Sequence, residues 1–242
     1  MIEVGIEVAR AVRTALDGLD DWGLSGAREG QYRSDVVADD AALAILGAAG
    51  FGVVSEESGP RDLDRAVIAV LDPVDGSTNA SRRVPWFATS VAFLDGDGVA
   101  AGVVVNQALG TVYEAARGGG ARRDGAPIKA SSIAAMDSAL IGVAGLPPQH
   151  FGWDQFRALG AAALDMCAVA EGVLDAYIDV SDDGHAPWDY LAALLICDEA
   201  GAHVCDTGGR DLVTTEYGVR RSPIAAATTE LLAAALAARG AS

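Results

Sequence analysis

Lysine is nearly missing from this chain. Lys129 is the only one among 17 lysines and arginines, set against 34 acidic residues, and the formal net charge is −17. A chain so short of basic side chains has little to offer a nucleic-acid backbone, so nucleic acid is excluded as an expected partner. Cysteine is scarce as well. Cys167, Cys197 and Cys205 are an odd number without metal-finger spacing, which argues against a disulfide framework and fits buried thiols in a reducing, cytoplasmic compartment. Long hydrophobic runs are absent: 51% of the residues are hydrophobic, yet no run reaches the roughly 20 residues of a membrane span. The first residues, Met1-Ile2-Glu3-Val4-Gly5-Ile6-Glu7, carry acids where a signal peptide carries bases, so no membrane association or export is expected. Repeats, linkers and low-complexity segments are also missing. The 242 residues suffice for a substantial α/β core.

Apolar periodicity predicts a helix from Ile2 to about Gly18, then a polar loop or flap over 20–34. Asp35, Asp39 and Asp40 lead into a small-residue helix over 41–49. Strands are predicted at 51–55, 66–71 and 87–94, with a hairpin over 98–106 and 110–115. The glycine-rich 118–125 lacks the strand–helix context of a nucleotide loop and reads as turns. Composition shifts near 130–137, dividing the chain into 1–135 and 136–242. The second part opens with a strand at 139–143, followed by a Gly/Ala-rich helix over 156–172 and a strand over 173–180. An apolar helix beginning Pro187-Trp188-Asp189 stops at Glu199-Ala200-Gly201, with Gly201 as its C-terminal cap. His185 reads as an incidental loop residue, and the tail (224–228, then a helix over 230–239) as structural.

The chemistry concentrates in Asp72-Pro73-Val74-Asp75-Gly76-Ser77-Thr78-Asn79, directly behind the apolar run 66–71. Pro73 fixes one φ and Gly76 removes a Cβ, so two carboxylates can be aimed at one point. They repel unless a cation lies between them, and a hard divalent ion with oxygen ligands is the natural filler. Gly76, Ser77 and Thr78 supply free N–H groups and hydroxyls, the material of a phosphate cradle. In isolation such a motif is a capped turn. Glu56-Glu57, delivered by the strand just before it, and Asp189, at the head of a buried helix, supply the further acids that favour metal-assisted phosphoryl chemistry. Asp189 alone has a second explanation as a helix-start residue.

Three separated motifs resemble the inositol monophosphatase family of Mg²⁺-dependent, lithium-sensitive phosphatases: Ser55-Glu56-Glu57-Ser58, Asp72 through Asn79, and Trp188-Asp189 before an Ala-rich helix. Weaker echoes are 35–39, 118–131 and 175–179. The resemblance implies a layered α-β-α-β-α sandwich. It implies two or three Mg²⁺ ions held by Glu56, Asp72, Asp75, Asp189 and the carbonyl of Val74, with Glu56 also counted in the catalytic machinery. Ser77, where the family usually has Thr, would orient the attacking water with a carboxylate partner. Asp39 and Asp40 compete for that partner role, and Asp39 is favoured. Gly76, Ser77 and Thr78 would take the phosphate, while Gly160, Ala161, Ala162, Asp179 and Asp189 would contact the substrate. The turn 181–184 looks like a small insertion beside Asp179. Relatives are often dimers, so a homodimer is a further expectation.

The activity implied is hydrolysis of a small polyol phosphate monoester, myo-inositol monophosphate first and histidinol phosphate second. A second phosphate on the substrate wants basic residues that this chain uses sparingly. The rival of another class is a non-catalytic sugar-phosphate or metal sensor, whose sign would be a missing ligand. None is missing.

Overall fold

The computed structural model describes residues 1–240. The first part of the chain runs α1 (Ile2–Asp17), α2 (Arg33–Ala48), β1 (Gly52–Ser55), β2 (Gly59–Arg61), β3 (Ile68–Asp75), α3 (Ser77–Arg82), β4 (Ala88–Asp95), β5 (Gly98–Asn106), β6 (Val112–Ala116), β7 (Ala121–Arg123) and β8 (Ala126–Pro127). A 3₁₀ turn (Met136–Ser138) leads into β9 (Leu140–Ala144), β10 (Gln155–Arg157), α4 (Ala162–Ala170), β11 (Ala176–Asp179), α5 (Pro187–Glu199), β12 (His203–Asp206), β13 (Pro223–Ala226) and α6 (Thr229–Gly240).

β1 to β8 form one sheet in the order β2-β1-β3-β4-β5-β6-β7-β8, and the other five strands a second in the order β10-β9-β11-β13-β12. β1 and β3 pair in parallel, so their C-terminal ends, carrying Glu56 and Asp72, emerge on the same side. Side-chain alternation along the strands creates the layers. In β3, Ala69 and Leu71 pack with Val8, Val12 and Ala42 of α1 and α2, while Val70 faces the opposite core of α4 and α5. In the second sheet, Tyr177 and Ala225 meet that middle core, whereas Ile178, Ile224 and Leu231 of α6 close the outer one. The result is the expected α-β-α-β-α sandwich. α5 lies so close to β5 that a Cβ on Gly102 would come within 2.5 Å of the Ala192 carbonyl oxygen.

Two helices differ from expectation by several residues. α2 starts at Arg33, eight residues before the predicted start, because its polar residues are its buried face: Ser34, Asp35 and Asp39 turn inward with Ala38, Ala42 and Leu46. The predicted helix over 156–172 is only α4. Residues 155–157 pair instead in parallel with β9, and Gly160 at φ 86° cannot continue a helix. Residues 118–125 are indeed turns and short strand. The N–H groups of Gly118 and Gly120 donate at 2.6 and 2.7 Å to the two carboxylate oxygens of Glu199, so this anion-binding turn is filled by the protein itself. Among the described residues, no helix is long and apolar enough to cross a membrane.

Candidate active site

The carboxylates of the Asp72 motif converge through a fault in the sheet. Asp72 faces Ser90 on β4 and Asp75 faces Ala88, so three steps along β3 oppose two along β4. This bulge falls on Pro73, which has no N–H to lose from the ladder, and the Pro73 carbonyl accepts a 2.8 Å bond from the Thr89 hydroxyl. In a regular strand, residues three apart point to opposite faces; with the extra residue, Asp75 comes within electrostatic reach of Asp72. Glu56 arrives by extension of β1, its N–H donating to the Leu71 carbonyl at 3.1 Å. Asp189 sits in the first turn of α5 and accepts the Ala186 N–H at 2.7 Å. It is a helix cap, and its carboxylate also joins the cluster. One carboxylate oxygen from each of Glu56, Asp72 and Asp189 lies within 4.8 Å of the others.

This cluster is electrostatically unfinished. Burial, then repulsion from Asp189 and Glu57, pushes the Glu56 pKa up to about 8. Asp75 also rises to about 8 through burial and repulsion by Asp189, despite a 2.8 Å bond from the Ala163 N–H. Asp72 is raised well above the carboxylate range by burial and by Glu56 and Asp75. Among the described residues, no lysine or arginine forms a salt bridge with any of the four; the one basic group within that distance is His185, with Nδ1 3.4 Å from Asp189 Oδ2. Buried, mutually repelling oxygen donors without a resident cation are the donor set a hard divalent ion such as Mg²⁺ requires. The residues fit the metal.

Beside them, Gly76 turns the chain at φ 86°, where a Cβ would press on the Gly160 carbonyl oxygen at 3.1 Å and on the Ala161 Cβ at 3.2 Å. Only glycine suits the position. It starts α3, whose first residues Ser77 and Thr78 present N–H groups and hydroxyls. The Ser77 hydroxyl donates to the Val74 carbonyl at 2.9 Å, and it lies close enough to Asp35 to oppose, with the Tyr32 N–H, the rise that burial imposes on the Asp35 pKa. The acid beside Ser77 is thus Asp35, whereas Asp39, expected there, meets Ser55 instead. Asp39, one turn along α2, is 4% exposed and accepts the Ser55 hydroxyl at 2.5 Å; Asp40 is exposed. Asp35 is additionally held by the Tyr32 N–H at 2.8 Å, and the Tyr32 hydroxyl lies 3.3 Å from that of Thr78.

On the far side of Asp75 and Asp189 opens a pocket of about 280 Å³ walled by Gly160, Ala161, Ala162, Asp165, Tyr177 and His185. Asn79 ties it to the cradle, donating at 2.7 Å to both the Trp86 and Leu159 carbonyls. Asp179 is not part of the wall. It is fully buried, with Oδ1 accepting the Ser181 N–H and hydroxyl and Oδ2 without a partner, and the His185 imidazole stands between it and Asp189. Three wall residues escaped the sequence analysis. His185 is no incidental loop residue: its Nε2 lies 2.6 Å from the Tyr177 hydroxyl. Burial disfavours its charged form, but Asp189, Asp179 and Asp75 outweigh that and raise its pKa. Asp165, raised to about 7 by burial, accepts the Trp86 indole N–H at 2.7 Å. The available signal was the sequence Gly160-Ala161-Ala162-Ala163-Leu164-Asp165, an acid within an apolar helix.

A carboxylate nest sized for divalent ions, a glycine-started N–H and hydroxyl cradle, and a small polar pocket behind them define a metal-dependent phosphoric monoester hydrolase on a five-layer sandwich. The inositol monophosphatase family profile matches residues 35–241, and the chain belongs to that family. It is 30% identical over 236 residues to an inositol-1-monophosphatase of Mesorhizobium japonicum, covering 88% of this chain and 86% of the relative. To a fructose-1,6-bisphosphatase/inositol-1-monophosphatase of Archaeoglobus fulgidus it is 30% identical over 241 residues, covering 95% and 94%. Among solved structures, a Pyrococcus horikoshii protein described as similar to inositol-1 monophosphatase superposes with a TM-score of 0.88 at 28% identity, over 98% of this chain and 96% of the other.

Proposed function

We propose that the enzyme hydrolyses a small polyol phosphate monoester, with myo-inositol monophosphate the leading substrate. Glu56, Asp72, Asp75, Asp189 and the Val74 carbonyl would hold two or three Mg²⁺ ions. Bound there, Mg²⁺ supplies Lewis-acid neutralisation of phosphoryl oxygens and lowers the pKa of water. Gly76, Ser77 and Thr78 orient the phosphate through their N–H groups and hydroxyls. Ser77, backed by the buried Asp35, accepts a hydrogen bond from the attacking water and aligns it. Glu56 adds its charge to that side of the site.

The observation that carries the substrate class is the pocket wall. Asp165, Tyr177 and His185 offer hydrogen-bond partners for hydroxyls, and no lysine or arginine lines it to receive a second phosphate. That speaks against fructose 1,6-bisphosphate, although the archaeal relative's name includes it. One observation favours histidinol phosphate as a second reading: among the described residues the wall acid Asp165 forms no salt bridge with a lysine or arginine, and an acid so placed suits a substrate ammonium.

Phosphate release from myo-inositol 1-phosphate, histidinol phosphate and fructose 1,6-bisphosphate, with Mg²⁺, with EDTA and with added Li⁺, tests this. The expected result is Mg²⁺-dependent, lithium-inhibited turnover of the inositol ester. Preference for the bisphosphate would overturn the substrate class, and Mg²⁺ binding without any turnover would favour a sensor.

A further inference from the structure

Glu56 and Asp189 belong to different layers. Glu56 continues β1, between β2 and β3 of the eight-stranded sheet, whereas Asp189 opens α5 in the middle layer, and no hydrogen bond joins these two residues directly. We propose that Tyr217 is a positioning residue that clamps these two carboxylate arms together, an inference that rests on their assignment as Mg²⁺ ligands. Tyr217 comes from the irregular connection 207–222 between β12 and β13. Its hydroxyl donates to the Glu56 carbonyl at 2.9 Å. Its ring lies 5.1 Å from that of Trp188, the residue before Asp189, at an interplanar angle of 38°.

Trp188 is itself fixed on its other contacts. It is 4% exposed, its carbonyl accepts the Ser90 hydroxyl of β4 at 3.2 Å, and the Arg220 guanidinium lies 5.6 Å from its ring centroid. Tyr217 therefore connects the backbone of one ligand arm to a rigidly seated neighbour of the other. The connection 207–222 does not need this contact to hold its own shape. Asp206 gathers the Arg210 side chain and the N–H groups of Gly208, Arg210 and Ser222, and residues 185 and 221 pair across an isolated bridge. Tyr217 as a residue is 36% exposed, so its hydroxyl does not depend on Glu56 to avoid burial without a partner. What the bond to Glu56 adds is alignment of a ligand arm.

Tyr217→Phe removes the hydroxyl and leaves the ring on Trp188; Tyr217→Ala removes both. The deciding measurement is the Mg²⁺ dissociation constant by titration calorimetry on the full chain without substrate, beside the melting temperature in EDTA. Losing one aligning hydrogen bond is expected to weaken Mg²⁺ binding about two- to tenfold in Tyr217→Phe, and further in Tyr217→Ala. The EDTA melting temperature of Tyr217→Phe should match the parent, and excess Mg²⁺ should restore its kcat. Parent-like Mg²⁺ affinity in both variants, with Glu56→Gln and Asp189→Asn losing it, would overturn the clamp and spare the ligand assignment. Parent-like affinity in Glu56→Gln and Asp189→Asn would remove the assignment and the clamp with it. A Tyr217→Phe defect that tracks a lowered EDTA melting temperature would make the contact structural.

Discussion

At the scale of single residues, the acidic cluster has a defined pH signature. Glu56 and Asp75 are pushed to about 8 and Asp72 is raised well above the carboxylate range, against about 4 in an unfolded chain. Between those values the folded state binds more protons than the unfolded one, so their contribution to stability is present below about pH 4 and lost as pH rises towards 8. In EDTA the melting temperature should fall across that window, and saturating Mg²⁺, which competes with those protons, should stabilise most at its alkaline end. Asp72→Asn should abolish turnover, by more than about a hundredfold, while raising the EDTA melting temperature because it relieves repulsion. Asp35→Asn should lower kcat with little change in Mg²⁺ affinity, whereas Asp39→Asn, which meets Ser55, should act mainly on stability; steady-state kinetics beside thermal melts separate the two. The clustered acids Glu56, Asp72, Asp75 and Asp189 were legible in the chain because each is a carboxylate placed near where an apolar strand or helix begins or ends. Asp35 was not. Three acids share the 35–40 segment, and only the rotation of α2 against β3 decides which one meets Ser77.

At the scale of elements, the strands were readable from their apolar runs, while segments whose polarity runs against their burial were not. α2 hides Ser34, Asp35 and Asp39 inside, so its first two turns look like a loop. Residues 156–161 look helical from composition, yet Gly160 turns left-handed and the chain before it pairs with β9. The bulge at Pro73 also needs the β4 partner to be seen, since a proline and a glycine flanking two acids describe a turn equally well. Close packing between elements gives a direct test. Gly102→Ala would drive a Cβ to 2.5 Å from the Ala192 carbonyl oxygen, and neither backbone can yield cheaply. A destabilisation of about 1–3 kcal/mol is expected, read as a lowered denaturant midpoint with an unchanged slope.

At the scale of the whole molecule, a net charge of −17 makes the fold repel itself. The Debye length shrinks from about 30 Å at 0.01 M salt to about 3 Å at 1 M, so KCl should raise the melting temperature. Each kcal/mol of relieved repulsion should appear as about 2–4 °C for a chain of this size; a flat salt profile would mean that the surface acids are already well dispersed. The central helix carries a different consequence. α5 is pinned at its head, where Asp189 accepts the Ala186 N–H, and at its tail, where Glu199 occupies the glycine turn of the larger sheet, and its flanks bury side chains against both sheets. Neither sheet can part from α5 without surrendering the core it shares with the other. Melting should therefore be a single cooperative event, with calorimetric and van't Hoff enthalpies equal, even though the strands of the two sheets come from separate stretches of the chain.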